Sequence, residues 1–438
     1  MLKKSPILPV YGTLRRPTFR NLARIFKIII WPLVFGYLAF SVILSSIHLF
    51  EHLNPRGFRS RKAILPINKT YDTNNTSPLS EMPNEYRFLK LHSASSQLSP
   101  DNIFPFYFRS ELTPKEDDIT VTTFVTQDNY DDLVRLAKAW QGPISAVLHL
   151  QTENLRNDDP EIINVLHTFA NLYKENLNIK RHVDIHVVAG LNISKIPKLS
   201  NIHLNIARFF ARTEFVLFLA QDTWPSPMAK DHLKQHKKLL MENDILVLPA
   251  FSFTEFADNY DFPNTVDELI HLVQLNIMGI YDKGWPLNKG PTDYEKWIDM
   301  VLYNVSFGYD SIYQPNFVVK RGREIPWCTE RFDTFEKSKA ACLLQMYFNG
   351  AEVWVVPEAF VIQHQYNQVY TLLEQQESRI EKKIYERMYL KFFREACMYY
   401  ARIIDGLDEW RTPRASHIKQ QCPKIISNWG LFSKKIKR

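Results

Sequence analysis

From Ile28 to Phe50 the chain contains no Asp, Glu, Lys or Arg. At about 1.5 Å of rise per residue, a helix of that length crosses a hydrocarbon core of roughly 30 Å. Lys3, Lys4, Arg15, Arg16, Arg20, Arg24 and Lys27 precede it with no acidic residue among them, and Glu51 follows at once. This bias predicts a cytoplasmic amino terminus and an extracytoplasmic remainder, with residues 1–27 as a basic tail and 28–50 as an uncleaved signal-anchor helix. The competing readings are a cleaved signal peptide or a buried core helix. The run is longer than an ordinary cleaved apolar segment and lacks a small-x-small exit. Pro32 lies near the cytoplasmic end, where a missing backbone donor disturbs few helical bonds.

The net charge of +7 resembles a nucleic-acid signal until it is located. The seven basic residues up to Lys27 account for all of it, and the other residues carry 47 of each sign. The globular part is neutral overall, so nothing in it calls for nucleic acid or another polyanion. Cys328, Cys342, Cys397 and Cys422 all fall in the last third without Cys-x-x-Cys spacing. In an oxidising lumen that pattern predicts one or two disulfides, with three full pairings open, and disfavours zinc. Asn68, Asn74, Asn75, Asn192 and Asn304 all begin Asn-x-Ser/Thr triplets, candidate glycosylation acceptors that agree with the lumen.

Residues 51–115 are rich in Ser, Asn and Pro and read as a stem, with Phe104, Phe106, Tyr107 and Phe108 docking its end. From 116 to 438 short apolar runs alternate with amphipathic stretches, the pattern of one α/β domain with a mostly parallel central sheet and flanking helices. Strands are expected at Ile119–Thr126, Ile144–Gln151, Val183–Ala189, Phe215–Leu219, Ile245–Pro249 and Val353–Pro357. Helices are expected at Tyr130–Trp140, Ile162–Tyr173, Ile202–Arg212, Leu233–Met241 and Val266–Leu275, and within Leu372–Ile404. No internal repeat appears.

The strand at Phe215 runs into Ala220-Gln221-Asp222-Thr223-Trp224-Pro225-Ser226. Asp222 therefore leaves the carboxyl edge of a central strand, where α/β sheets bind ligands. A carboxylate there suits Mn²⁺ or Mg²⁺ bridging a nucleotide diphosphate, and equally suits a turn before Pro225. Aromatics cluster from Phe251 to Trp297, consistent with a core layer; Tyr294 and Trp297 stand as candidate sugar contacts.

Several segments in order carry a resemblance: Trp140-Gln-Gly-Pro-Ile-Ser, Asn205-Ile-Ala, Phe215 to Ser226, Leu248-Pro-Ala-Phe, Gly290-Pro-Thr-Asp-Tyr-Glu-Lys-Trp297, Glu330-Arg-Phe and Val356-Pro-Glu-Ala-Phe-Val-Ile. Together, over Ile119 to Tyr399, they resemble glycosyltransferase family 49, which includes the glucuronyltransferases that act on the dystroglycan glycan. The resemblance implies a GT-A fold, a nucleotide-sugar donor, a glycan or glycoprotein acceptor, inversion, and usually Mn²⁺ held by an Asp-x-Asp pair and a later His. It points to Thr126, Gln127, Asn205, Gln221 and Asp222 for the nucleotide sugar, Asp222 and His364 for metal, and Asp310, Asp293 and Glu330 as candidate bases.

The departures are as specific as the match. Ala220 stands where the first Asp of the pair belongs, Leu204 where an Arg belongs, Gln363 where the His belongs, with His364 next to it, and Gln314 replaces an acid. Losing a carboxylate and a His lowers the expected metal affinity. Asp293, Asp310 and Glu330 each also have a structural reading, Glu330 as an ion pair with Arg331. Anchor, stem and domain in that order predict a type II glycosyltransferase of the Golgi membrane, or of the endoplasmic reticulum as second choice. The alternative is a degenerate domain that binds glycan or escorts an active transferase.

Overall fold

The computed structural model describes Tyr37, Ser41 and residues 103–126, 130–150, 160–189, 201–220, 222–254, 261–280, 289–322, 324–332, 337–363 and 379–426. The chain divides into two units, Met1–Tyr71 and Asp72–Arg438. Of the first, only Tyr37 and Ser41 are described, both helical. The rest of the apolar run 28–50 and the stem as far as residue 102 lie outside the described residues. Among the described residues no helix is long and apolar enough to cross a membrane.

The second unit is mixed α/β. Its elements run β1 (Ile103–Phe108), β2 (Ile119–Val125), α1 (Tyr130–Trp140), β3 (Ile144–Leu150), α2 (Pro160–Glu175), α3 (Leu177–His182), β4 (Val183–Ala189), α4 (Asn201–Phe210), β5 (Phe215–Phe218) and β6 (Thr223–Pro225). There follow α5 (Ala229–Gln235), α6 (Lys237–Met241), β7 (Ile245–Leu248), β8 (Ala250–Phe253), α7 (Val266–Gln274), β9 (Met278–Ile280), α8 (Tyr294–Ile298), β10 (Tyr303–Asn304) and β11 (Asn316–Lys320). The last are α9 (Ser338–Phe348), β12 (Val353–Val355), β13 (Val361–Gln363), α10 (Arg379–Gly406), α11 (Ser416–Gln421) and α12 (Pro423–Ile426).

Nine strands form the main sheet in the order β1-β4-β3-β2-β5-β11-β7-β12-β10, and β6-β13-β8-β9 form a second sheet. The parallel block β4-β3-β2-β5 is where the sequence is most legible. Every residue of β2 and β4 is buried, because strands covered on both faces lose their polar alternation. The mostly parallel expectation is corrected: β1, β11 and β10 run antiparallel to their neighbours, so four of the eight pairings in this sheet are antiparallel.

Local chemistry explains most element ends. Helix α1 carries Asp131 and Asp132 in its first turn and Lys138 in its last, complementing its dipole, and buries Leu133, Leu136, Ala137 and Trp140 at helical spacing. The helix expected at Leu233–Met241 is split at His236, whose φ of −98° and ψ of 18° leave helical geometry. The strand expected at Ile245–Pro249 stops at Leu248, since Pro249 has no N–H to donate. Its carbonyl instead accepts from Val361, starting the second sheet.

Strand β1, upstream of residue 116, is tied into the sheet by buried polar groups. The Phe106 amide donates to His186 Nδ1 at 2.9 Å, which leaves the proton on Nε2 for Ser145 Oγ at 3.0 Å. That hydroxyl donates to the Ala207 carbonyl at 2.7 Å. Burial pushes the His186 pKa down to about 3, so the ring is neutral. Further along, Ser110 N and Arg212 Nε donate to the Asp184 carboxylate at 2.9 and 2.8 Å.

The four cysteines pair as Cys328–Cys342 and Cys397–Cys422. The first pins the loop before α9 to that helix, and the second joins α10 to the residue after α11.

Candidate active site

The carboxyl ends of β2 and β5 open onto a cleft lined by Thr123, Phe124, Val125, Asp132, Leu133, Leu136, Ala220, Asp222, Thr223 and Trp224. Asp222 sits in the turn between β5 and β6 with a φ of 53°, a left-handed conformation that Asp tolerates better than most side chains. Strand β13 pairs Gln363 with Thr223, and this register brings the Gln363 amide to the Asp222 carboxylate, Nε2 to Oδ1 at 3.4 Å. Gln363 holds the position that the resemblance gave to the family histidine, so a neutral amide faces the remaining acid. Trp224 is buried, stacks on Phe262 with centroids 5.3 Å apart, and donates from Nε1 to the Asp132 carbonyl at 3.3 Å.

Thr126 is half-buried directly after Val125 of the cleft wall. Gln127, Gln221 and His364 lie outside the described residues, as do Asn68, Asn74, Asn75 and Asn192. Asp132 was not a sequence candidate. An acid in the first turn of a helix that follows a central strand by a short loop was the available signal, and dipole complementation explains the same residue.

Asp222 meets a neutral amide nitrogen, and among the described residues no group of three or more His, Cys, Asp or Glu side chains could hold a metal. Asp222 is the one expected ligand among the described residues, and His364, the other, lies outside them.

The other candidates take structural positions. Asn205 is fully buried on α4 and does not line the cleft. Its Nδ2 donates to the Cys328 carbonyl at 2.8 Å and to Glu330 Oε1 at 2.9 Å, while its Oδ1 accepts from Cys328 N at 3.1 Å. Glu330 is buried against it, and Arg331 pairs with Glu395 rather than with its chain neighbour. Asn201 and Arg208 extend this stripe. Asn201 donates to the Thr329 and Ser338 carbonyls at 2.8 and 2.7 Å, and Arg208 donates to those of Pro326 and Ile325, both at 2.8 Å, and stacks over Trp327 at 4.3 Å. Sequence reading missed this clamp, because Asn and Arg at helical spacing also describe a solvated face.

Asp293 caps α8, accepting from Glu295 N and Lys296 N at 3.2 and 3.3 Å. Asp310 is exposed and accepts from Ile312 N at 3.1 Å in a turn. Tyr294 and Trp297 are corrected from sugar contacts to core: Trp297 is fully buried, and its Nε1 donates to the Val356 carbonyl at 2.9 Å. Asn304 is partly exposed in β10. Its amide nitrogen donates to Glu352 Oε2 at 2.8 Å, and Ser306 of its triplet is buried.

Residues 194–401 match the family model described as "Glycosyl-transferase for dystroglycan". The chain is 27% identical over 286 residues to xylosyl- and glucuronyltransferase LARGE2s of Gallus gallus, covering 63% of this chain and 35% of that one. It is 27% identical over 256 residues to human xylosyl- and glucuronyltransferase LARGE2, covering 57% and 33%. The chain thus spans about a third of the length of the curated relatives it matches. The crystal structure of S. aureus TarS 1–349 with UDP-GlcNAc aligns over 65% of each chain at 11% identity, with a TM-score of 0.33. The matched residues hold Asn205, Asp222, Glu330 and Gln363 in one continuous stretch, and over it the chain is similar to the glycosyltransferases that this model describes.

Proposed function

We propose that the chain transfers a sugar from a nucleotide-sugar donor to a glycan, with inversion, on a GT-A-like domain held in the Golgi lumen by the apolar segment 28–50. The observation that carries this reading is Asp222 lining the cleft at the carboxyl edge of the parallel block, inside the matched residues 194–401. The named relatives are xylosyl- and glucuronyltransferases, which supports those donor classes first. In the reaction a base takes the proton of the acceptor hydroxyl, its oxygen attacks the anomeric carbon, and the nucleoside diphosphate leaves with the electrons of the broken C–O bond. Asp293, Asp310 and Glu330 do not line the cleft, so none of them is assigned as that base.

Asp222→Asn keeps both the backbone preference and the shape. It is expected to lower transfer from a panel of UDP-sugars by about 10²-fold with an unchanged melting temperature. Undiminished transfer by this variant would overturn the site. Absence of both donor turnover and UDP binding in the unaltered chain would favour the escort reading, to which the Gln363 amide facing Asp222 already lends support.

A further inference from the structure

Lys339, in the first turn of α9, is 6% exposed, and its ammonium donates to Asn316 Oδ1 at 2.7 Å. Among the described residues this is its one hydrogen-bond partner, and no carboxylate pairs with it. A buried ammonium is costly without a counter-charge, and a neutral amide oxygen supplies none. Its position on the helix adds to the cost, because a cation in the first turn opposes the helix dipole. Burial alone, with no opposing contribution from a nearby acid, pushes its pKa down to about 7.

The surroundings are rigid and well placed. Asn316 opens β11, lies opposite Leu248 of β7, and stands one residue beyond the Phe317–Phe218 pair that joins β11 to β5. It therefore marks the edge of the sheet from which β5 runs on to Ala220 and Asp222, and from which β7 hands over to β8 of the second sheet. The start of α9 is fixed by the Asn201 bond to the Ser338 carbonyl and by the Cys328–Cys342 disulfide. Nothing in the packing of α9 requires a charge there; its buried positions include Ala340, Ala341, Leu343 and Leu344.

We infer that Lys339, presented by Asn316, is an oxyanion-binding residue at the carboxyl edge of the sheet, and that the missing counter-charge comes from a phosphate or carboxylate of the bound substrate. This rests on the transferase reading and names the part of the substrate that the residue meets. Two sources share that chemistry, the diphosphate of the donor and the carboxylate of a uronic acid sugar.

The test is calorimetric titration of the full chain with UDP, with glucuronate and, as a neutral control, with uridine. Lys339→Met preserves volume and removes the charge. It is expected to weaken binding of UDP or of glucuronate by about 10- to 100-fold, leave uridine unchanged, and leave the ligand-free melting temperature equal or higher. Which of the two anions loses affinity identifies the source. Asn316→Asp is the second variant. It gives the amine a carboxylate within the protein, so it should raise the melting temperature and weaken the same anion, and it remains informative if Lys339→Met does not fold.

Unchanged binding of both anions in either variant would overturn the inference, as would failure of the unaltered chain to bind either anion. If Asp222→Asn abolishes transfer while both Lys339 and Asn316 variants bind UDP normally, the transferase reading stands and this inference falls.

Discussion

Asp222 shows how one position can serve both turn and cleft. Its φ of 53° is tolerable for Asp and Asn and strained for β-branched residues, so Asn separates loss of charge from loss of conformation. A second residue-scale prediction concerns Glu352. The bond to His417, together with bonds from Asn304 and Ser306, holds its carboxyl down to about 2, from an ordinary 4.5. The unfolded chain therefore binds more protons than the folded one between those values. Stability from Glu352 is complete above about pH 4.5 and is lost as pH falls towards 2. Asp244, beside it and accepting from Glu352 N and Trp354 Nε1, is pushed the other way, up to about 6, mainly by burial. Its contribution is present below about 3.8 and is lost as pH rises through 6. Glu352→Gln should flatten the acid limb of the urea-midpoint profile below pH 4.5 while the decline between 4 and 6 persists. An unchanged acid limb would contradict the assignment.

At the scale of elements, β1 is held by polar clamps as much as by its ladder. Arg212 compensates the buried Asp184, whose pKa burial nevertheless raises. Removing the guanidinium leaves that acid alone beside Ser110. Arg212→Met is expected to cost about 3–5 kcal/mol in chemical denaturation, and a loss below about 1 kcal/mol would show the pair to be incidental. The site was legible only in part at this scale. The strand ending in Asp222 stood out because a continuous apolar run meets a turn. Its partner Gln363 is 141 residues away in a strand of three residues, too short for periodicity to register. Helix α9 was missed for a related reason. It is buried on almost every side, so it has no amphipathic stripe.

At the scale of the whole molecule, the disulfides and the membrane segment make separate predictions. Cys397–Cys422 closes a loop with a sequence separation of 25 between α10 and the end of α11. Replacing both cysteines with serine should cost about 2–5 kcal/mol, read as a shift in urea midpoint, and should leave only the response to reductant that Cys328–Cys342 supplies. The apolar run 28–50 predicts that the full chain resists alkaline extraction from membranes and is protected from protease in intact vesicles; a chain beginning at residue 51 should be released. Recovery of the full chain in the alkaline supernatant would refute the anchor.

The sequence by itself determined what depends on local pattern: the apolar run, the localisation of net charge to the first residues, the strands β2, β3, β4 and β5, and the acid after β5. These are written in consecutive residues, through hydrophobic runs and turn chemistry. Only the tertiary structure decided the antiparallel half of the sheet, the cysteine pairing, the meeting of Asp222 with Gln363, and the capture of Asn205 and Glu330 by a structural clamp. Each is a contact between segments far apart in the chain. Register and side-chain burial set such contacts, and both exist only once the chain has folded.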